Sequence, residues 1–498
     1  MNKLLKVNNR DNVAVATRDL KQGEVIEELD EQIKLLSDIP MGHKVALANI
    51  DSGENVFRYG NPIGRAVKDI NQGDWVHTHN LTTNLSDIVE YDYQPNFRTD
   101  TAKIENIPTF QGYLRSDGQT GIRNEIWLIP TVFCANGPTQ KLAEMANQKF
   151  ARSENFDGFY ALTHPYGCSQ QGEDLVYTQN ILANLVNHPN AAGVLLLSLG
   201  CEKNCFDNFL PILGDYDPNR VKTLIMQDVE DEIAEGLKLI DEIWQYTSQQ
   251  KRQELPLSKL TIAVNCGGSD AFSGITANAL VGRISDFITG CGGSIVMTEV
   301  PEMFGAEHLL MNRAENREVF QMIVDMINDY KKYFQRYGQP IYENPVPGNL
   351  AGGITTLEEK SLGCIQKGGE AIVRDVLPYG GRVRKDGFTL ISGPGNDLVG
   401  ITTQEAAGCV LTIFTTGRGT PSGFAAPLIR LASNSKMANR KQGWIDYNAG
   451  VLLEGKSFEA AAAELLDLII RVASGAARTK SEANGYRQIG MLRDGVTN

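Results

Sequence analysis

The chain has 498 residues, 42% of them hydrophobic, and a formal net charge of −13. That is enough apolar material for two or three packed units, while the acidic surface repels nucleic acid and anionic membrane, so neither is expected as a partner. No run approaches the about 18 apolar residues of a membrane span, the N-terminus shows no signal-length apolar stretch, and eight cysteines at this length suit a reducing compartment better than a disulfide scaffold; a cytoplasmic enzyme is the expectation.

Residues 1–92 read as a small, mostly β unit. Alternating runs such as Val13-Ala14-Val15-Ala16 and Val56-Phe57-Arg58-Tyr59 are cut by three turns of one polar-x-Gly-acidic pattern: Lys21-Gln22-Gly23-Glu24, Asp51-Ser52-Gly53-Glu54 and Asn71-Gln72-Gly73-Asp74. Residues 93–107 are polar and aperiodic, which predicts a linker. From 108 onward strand and helix patterns alternate: strand 125–133, helix 139–150, strand 159–163, helix 174–186 and a buried strand at 193–199. A polar stretch at 246–257 divides this region, 108–250, from a second one, 251–498. The second has strands at 260–264, 294–298 and 409–414, a helix near 276–289 and a long amphipathic helix near 457–473. Such alternation predicts two α/β regions with largely parallel, Rossmann-like sheets following the β unit.

In open α/β sheets, ligands sit beyond the carboxyl ends of the strands. Five polar loops occupy those places: His164-Pro165-Tyr166-Gly167-Cys168, Gly200-Cys201-Glu202-Lys203-Asn204-Cys205, Asn265-Cys266-Gly267-Gly268-Ser269-Asp270, Glu299-Val300-Pro301-Glu302 and Thr415-Thr416-Gly417-Arg418-Gly419. Cys168, Cys201 and Cys266 are candidate metal ligands, because three thiolates from separate loops can hold iron or an iron–sulfur cluster with one position open to substrate. The plain alternative is that each is a small buried hydrophobe. Cys205 and Cys134 stand as substitutes for one member; Cys291, Cys364 and Cys409 read as structural.

If Trp75–His79 is a strand, His77 and His79 share a face and offer an alternative metal site, with His43 as a third ligand; solvent-facing histidines are the other reading. His164 is a ligand, a base or a core residue. Glu299, at a strand end, is favoured over Glu202 and Glu302, which read as solvated acids. Ser269 and Asp270 line a polyol or cap the next helix. Arg418 grips a carboxylate or lies on the surface. The Pro/Gly/Asn-rich stretch 342–353 is expected to wall a site. Thr355 or Thr356 should cap a helix from about Leu357, with Lys360 one turn in, solvated or functional.

Together these residues resemble the altronate dehydratase and galactarate dehydratase family over essentially the whole chain. Gly42-His43-Lys44-Val45-Ala46-Leu47, Arg58-Tyr59-Gly60 and Ile63-Gly64 resemble its SAF domain. Gly112-Tyr113-x-Arg115-x-Asp117-Gly118, Gly121-x-Arg123-Asn124, Leu199-Gly200-Cys201-Glu202, Cys266-Gly267-Gly268-Ser269-Asp270, Ser273-Gly274-x-Thr276-Ala277-Asn278 and Thr416-Gly417-Arg418-Gly419-Thr420-Pro421 resemble its downstream hallmarks. His77-x-His79-Asn80 and Glu299-Val300-Pro301-Glu302-Met303-Phe304-Gly305 look like the altronate branch. The resemblance implies an SAF-like β domain followed by two α/β regions. It also implies loss of water from D-altronate to give 2-dehydro-3-deoxy-D-gluconate, in hexuronate breakdown, with iron (Fe2+) or Mn2+ as activator.

On that picture Cys168, Cys201 and Cys266 lie near the metal or an iron–sulfur cluster, with His77 and His79 as the alternative site. His164 or Glu299 is the C2 base and His43 the acid; Lys44, Ser269, Asp270, Asn278 and Arg418 contact the substrate. The expected partner is a small sugar acid, with homo-oligomerisation left open. Rival readings are a galactarate dehydratase, a sulfolactate sulfo-lyase-like eliminase, and a cysteine hydrolase pairing Cys201 or Cys266 with His164. A nicotinamide oxidoreductase is disfavoured, since no G-x-G-x-x-G follows a first strand.

Overall fold

The computed structural model describes residues 2–29, 31–86, 88–97, 104–150 and 152–494; residues 98–103 of the expected linker lie outside the described residues. The three repeated turns organise the N-terminal unit. In each, the glycine takes a left-handed φ (+81, +92 and +88° at Gly23, Gly53 and Gly73), which an L side chain resists. The closing acid then folds back to accept from the backbone N–H of the turn's first residue, as Glu54 does for Asp51 (3.1 Å) and Asp74 for Asn71 (2.8 Å). The turns join small antiparallel sheets: Leu4–Leu5, Val13–Ala16, Lys44–Ala46 and Trp75–Val76 in one, Asn55–Arg58, Asn61–Ala66 and Leu81–Thr82 in another, and the hairpin Val25–Glu28 with Glu31–Lys34.

One expectation fails here. The strand that begins at Trp75 stops at Val76. The Asn80 side chain accepts from His77 N (2.9 Å) and donates to Trp75 O (2.9 Å), which curls the chain into a turn. His77 and His79 therefore do not share a strand face.

The middle region is a four-stranded parallel sheet in the order Gly158–Ala161, Glu125–Pro130, Ala191–Ser198, Val221–Ile225. Helices Asn136–Lys149, Gly172–Val186 and Glu232–Thr247 accompany it. Ala191–Ser198 is buried along its whole length, as its unbroken apolar run requires of a central parallel strand. Thr109–Leu114 pairs antiparallel with Gln253–Pro256, so the chain enters and leaves this region side by side.

The C-terminal region is a seven-stranded parallel sheet ordered Val373–Leu377, Gly387–Ile391, Ser294–Met297, Thr261–Cys266, Leu411–Thr416, Leu428–Ala432, Tyr447–Asn448. Its main core lies between this sheet and helices including Ala277–Gly290, Arg317–Arg336 and Phe458–Ala473. The strand order reverses direction between Thr261–Cys266 and Leu411–Thr416, and a doubly wound sheet opens a crevice at such a switch point. Among the described residues, no helix is long and apolar enough to cross a membrane.

Candidate active site

At the switch point the loops after the two central strands are pinned together: Gly417 N and Arg418 N both donate to Gly268 O (3.1 and 2.9 Å). Gly268 has φ +63°, a turn that only glycine makes without strain. Above these loops lies a cavity of about 340 Å³. Met41 and His43 reach it from the N-terminal unit, Ala351 and Gly352 from the 342–353 stretch, and Asp270, Arg418, Lys436 and Arg440 from the C-terminal sheet. The Pro/Gly/Asn-rich stretch thus forms a wall, as its composition suggests.

Arg418, Lys436 and Arg440 are exposed at the cavity and make no ion pair among the described residues. In a chain of net charge −13 this is a local cationic patch, and it suits an anionic ligand. A roomier surface groove between Pro421–Gly423 and Gly485–Gln488 has Arg487 as its charged group, but that guanidinium is engaged by Glu125 (2.6 and 2.8 Å).

Asp270 does not cap the helix that follows, whose N-cap is Thr276. It accepts from Ser273 N (3.0 Å) in the turn before that helix and faces the cavity, held by Ser433 Oγ (2.7 Å) and Asn434 Nδ2 (2.9 Å). Burial pushes its carboxyl up, and these donors oppose the shift. Ser269 lines a small void behind the cavity, with Lys360 and Gly363. Asn278 is buried and satisfied at both ends, donating to Gly363 O and accepting from Thr415 Oγ1.

His43 is 6% exposed. Its Nδ1 accepts from the Trp75 indole N–H (3.2 Å) and its ring stacks on His77 at 5.1 Å. Burial, then the neighbouring His77 and Lys44, pull its pKa down to about 4, so the ring is neutral at pH 7. With Nδ1 accepting, the proton of the neutral ring sits on Nε2. His77 Nε2 faces Leu350 O (3.1 Å), while His79 is exposed against Trp75. Among the described residues, no grouping of ligand atoms forms around these three imidazoles.

Lys44 does not line the cavity. It is fully buried on Glu359 (2.9 Å), which Arg58 also binds, and Lys44 donates to Gly353 O as well (2.8 Å). Burial opposes ionisation of Glu359, but Lys44 and Arg58 hold it down at about 2. Two cations share one carboxylate, and burial lowers Lys44 to about 8.

Behind the cavity, Cys266, Glu299, Glu302 and Cys364 bring four ligand atoms within 4.8 Å of one another, all buried. Lys367 Nζ lies 2.8 Å from each sulfur and 3.8 Å from Glu299; Lys360 Nζ lies 2.7 Å from Glu302. Burial, with Glu302 and Cys266 beside it, raises the Glu299 carboxyl well above its ordinary range and brings Asp397 to about 7. Glu299 also has φ 71° and ψ 58°, a left-handed conformation uncommon for a non-glycine residue and typical of functional positions.

Two sulfurs and two carboxylates fit a first-row divalent cation. The Glu299 Oε1 atom, buried with no hydrogen-bond partner among the described residues, suits such an ion. The Cys364 thiol and then the Lys367 ammonium bring Cys266 down to about 6 against burial, while Cys364 is raised well above its ordinary range, so one thiolate faces one ammonium.

The structure therefore joins Cys266 to Glu299, and His43 to Asp270 and Arg418. It does not bring Cys168, Cys201 or His164 to them. Cys168 and Cys201 are exposed on the middle sheet. His164 is buried there with both ring nitrogens engaged, Nε2 on Pro130 O (2.7 Å) and Nδ1 accepting from Tyr166 N (3.2 Å), so no thiol is its partner. Burial lowers it to about 4. Sequence reading missed Cys364, Lys367 and Asp397, and took Glu302 for a solvated acid. The available signal was the spacing of Lys360, Cys364 and Lys367 at i, i+4 and i+7, which puts them on one face of the buried helix Leu357–Cys364 and the turn after it. Thr356 caps that helix, accepting from Glu359 N (3.3 Å).

Three family descriptions match consecutive stretches. Residues 2–84 match the altronate/galactarate dehydratase SAF domain, 112–248 the D-galactarate dehydratase/altronate hydrolase second domain, and 257–497 the D-galactarate/altronate dehydratase C-terminal domain. The chain is similar to altronate dehydratase of Bacillus subtilis (strain 168), 47% identical over 498 residues and the whole of both chains. It is similar to altronate dehydratase of Escherichia coli (strain K12), 45% identical over 493 residues and 99% of each chain. It is also similar to galactarate dehydratase (L-threo-forming) of Escherichia coli (strain K12), 33% identical over 506 residues, 97% of this chain and 94% of the other.

Proposed function

The chain belongs to the altronate and galactarate dehydratase family and is a sugar-acid hydro-lyase; from that premise we propose that it removes water from D-altronate to give 2-dehydro-3-deoxy-D-gluconate, in hexuronate breakdown in the cytoplasm. The observation that carries this reading is the cavity where three cations with no ion pair among the described residues, Arg418, Lys436 and Arg440, face His43 and Asp270. The substrate carboxylate docks on the cations, with Arg418 positioned for a bidentate grip. Asp270 and Ser269 receive hydroxyls of the polyol chain.

His43 presents its Nε2 proton to the departing C3 hydroxyl, and the Trp75 indole keeps the ring in that tautomer. Glu299 takes the C2 proton on the carboxylate oxygen that holds no ion. Cys266, Glu302 and Cys364, with Glu299 completing the set, would hold iron or manganese, which supplies Lewis-acid stabilisation of the developing enediolate. Lys44 and Asn278 act by position, fixing the N-terminal unit and the helix behind the cavity. The same reading divides the chain into 1–92, the linker 93–107, 108–250 and 251–498.

The test is an anaerobic assay against a panel of aldonates and aldarates, with Fe2+ or Mn2+ added back and the 2-keto product detected. Preferred turnover of D-altronate is expected. Preference for galactarate overturns the substrate assignment, and absence of any 2-keto product overturns the reaction.

A further inference from the structure

The middle sheet carries its own group of strand-end side chains, away from the cavity. Gly158–Ala161, Glu125–Pro130 and Ala191–Ser198 are neighbouring parallel strands, so their carboxyl ends share one edge. The loop after each carries one exposed cysteine: Cys168, Cys134 and Cys201.

The three loops are tied into one surface. Glu202, 5% exposed, accepts from Ser198 Oγ and Thr131 Oγ1 (both 2.6 Å) and from Gly200 N (2.7 Å). Phe133 N donates to Tyr166 O (2.9 Å), Asn204 N to Gly167 O (3.3 Å) and Asn204 Nδ2 to Thr131 O (3.0 Å). Gly167, with φ +97°, lies so close to the Thr131 backbone that a Cβ would collide with it, so the chain forgoes a side chain there to bring two cysteine loops together.

The groups at this edge are near neighbours: after burial, Cys168, Cys201 and Glu202 are the surroundings that raise the Cys134 thiol. Glu202 has no ion pair among the described residues; it is held by hydrogen bonds alone. The fully buried Asn204 Oδ1 has no partner. Helices Asn136–Lys149 and Gly172–Val186 start just after Cys134 and Cys168, so their N-terminal ends favour negative charge at this edge.

Spacing discriminates between ligands. A single tetrahedral ion with metal–sulfur bonds of about 2.3 Å needs its sulfurs only about 3.8 Å apart. The three thiols are not among the described groups of ligand atoms within 4.8 Å of one another. An iron–sulfur cluster holds its cysteines farther apart, because each binds a different iron atom.

We propose that Cys134, Cys168 and Cys201 form a three-thiolate seat for an iron–sulfur cluster whose remaining iron has no protein ligand. Each cysteine thiol replaces a small thiolate on an iron of a preformed cluster. Its proton leaves with that small thiol, and no electron is transferred. This seat is separate from the Cys266 group, so its failure leaves the reading of the cavity untouched.

The experiment is anaerobic reconstitution of the full chain with Fe3+, sulfide and an excess of small thiol, which reduces part of the iron to Fe2+ and leaves as its disulfide, followed by desalting. Iron, acid-labile sulfide and the visible charge-transfer band are then measured. The wild-type chain is expected to retain iron and sulfide together with the band. Cys134→Ser, Cys168→Ser and Cys201→Ser singly, and all three combined, should lower cluster content, by at least about tenfold in the combined variant, with the thermal midpoint unchanged. Cys266→Ser should keep the band. A wild-type chain with no band, a band that survives the triple substitution, or a band lost with Cys266→Ser instead would each overturn the proposal.

Discussion

The two parallel sheets place reactive side chains in the same way and treat them differently. Each projects cysteine and glutamate from loops beyond its strand ends. At the C-terminal sheet the N-terminal unit and the 342–368 segment close over the edge, leaving Cys266 2% and Glu299 1% exposed. At the middle sheet nothing among the described residues covers Cys134, Cys168 and Cys201, which face solvent. Position along a strand therefore locates potential chemistry, but the covering element decides its character. Under cover, desolvation shifts carboxyls and thiols and forces each charge to find a partner. In the open, ligation geometry matters more than dielectric.

The sharpest way to break this contrast is to remove a partner from the covered side. Glu359→Gln leaves Lys44 and Arg58 buried without a counter-charge and should cost about 3–5 kcal/mol of stability, read by urea unfolding at pH 7. The same variant fixes the sign of a pH effect. Glu359 is held at about 2 when folded, against an ordinary value of 4.5, so its contribution is complete above 4.5 and is lost as pH falls towards 2. The difference between wild type and Glu359→Gln should shrink across that window; a constant difference would show that the triad is not ionised.

Next in size is Arg418→Met, which should raise KM for the sugar acid roughly 10- to 100-fold, the worth of a charged hydrogen bond or two, with kcat changed much less. Lys436→Met and Arg440→Met should follow in the same direction with smaller effects. An unchanged KM in all three would remove the carboxylate from this cavity.

Third, His43 is neutral down to about 4. The unfolded chain takes up a proton there between about 6.5 and 4, so stability should fall as pH drops through that interval. Any acid limb of kcat/KM set by His43 should lie near the lower value. A limb at 6.5 that vanishes in His43→Gln would contradict the burial described. Smallest of all, Cys168→Ser on the open edge should change stability by no more than about 0.5 kcal/mol.

The α/β character and most strands were legible because their apolar runs are long. The strand expected at 193–199 is Ala191–Ser198, and the helix expected near 276–289 is Ala277–Gly290. Val221–Ile225, Val373–Leu377, Gly387–Ile391 and Leu428–Ala432 went unread, being short runs whose burial comes from sheet neighbours and not from a local period. His43, Asp270 and Arg418 were legible as site candidates because glycine-flanked polar loops after strands stand out. Lys367 and Cys364 were not, because a charged, wholly buried helix breaks the usual polar-outside pattern, and only three-dimensional closure explains it.

The Glu359 triad carries a kinetic consequence. Lys44 and Arg58 belong to one unit and Glu359 to the other, so swinging the two apart would strand three charges at once. A motion that costly is expected to be rarely sampled. Reactant and product are then expected to pass through a doorway that keeps its shape, bordered by the water-facing side chains Lys436 and Arg440.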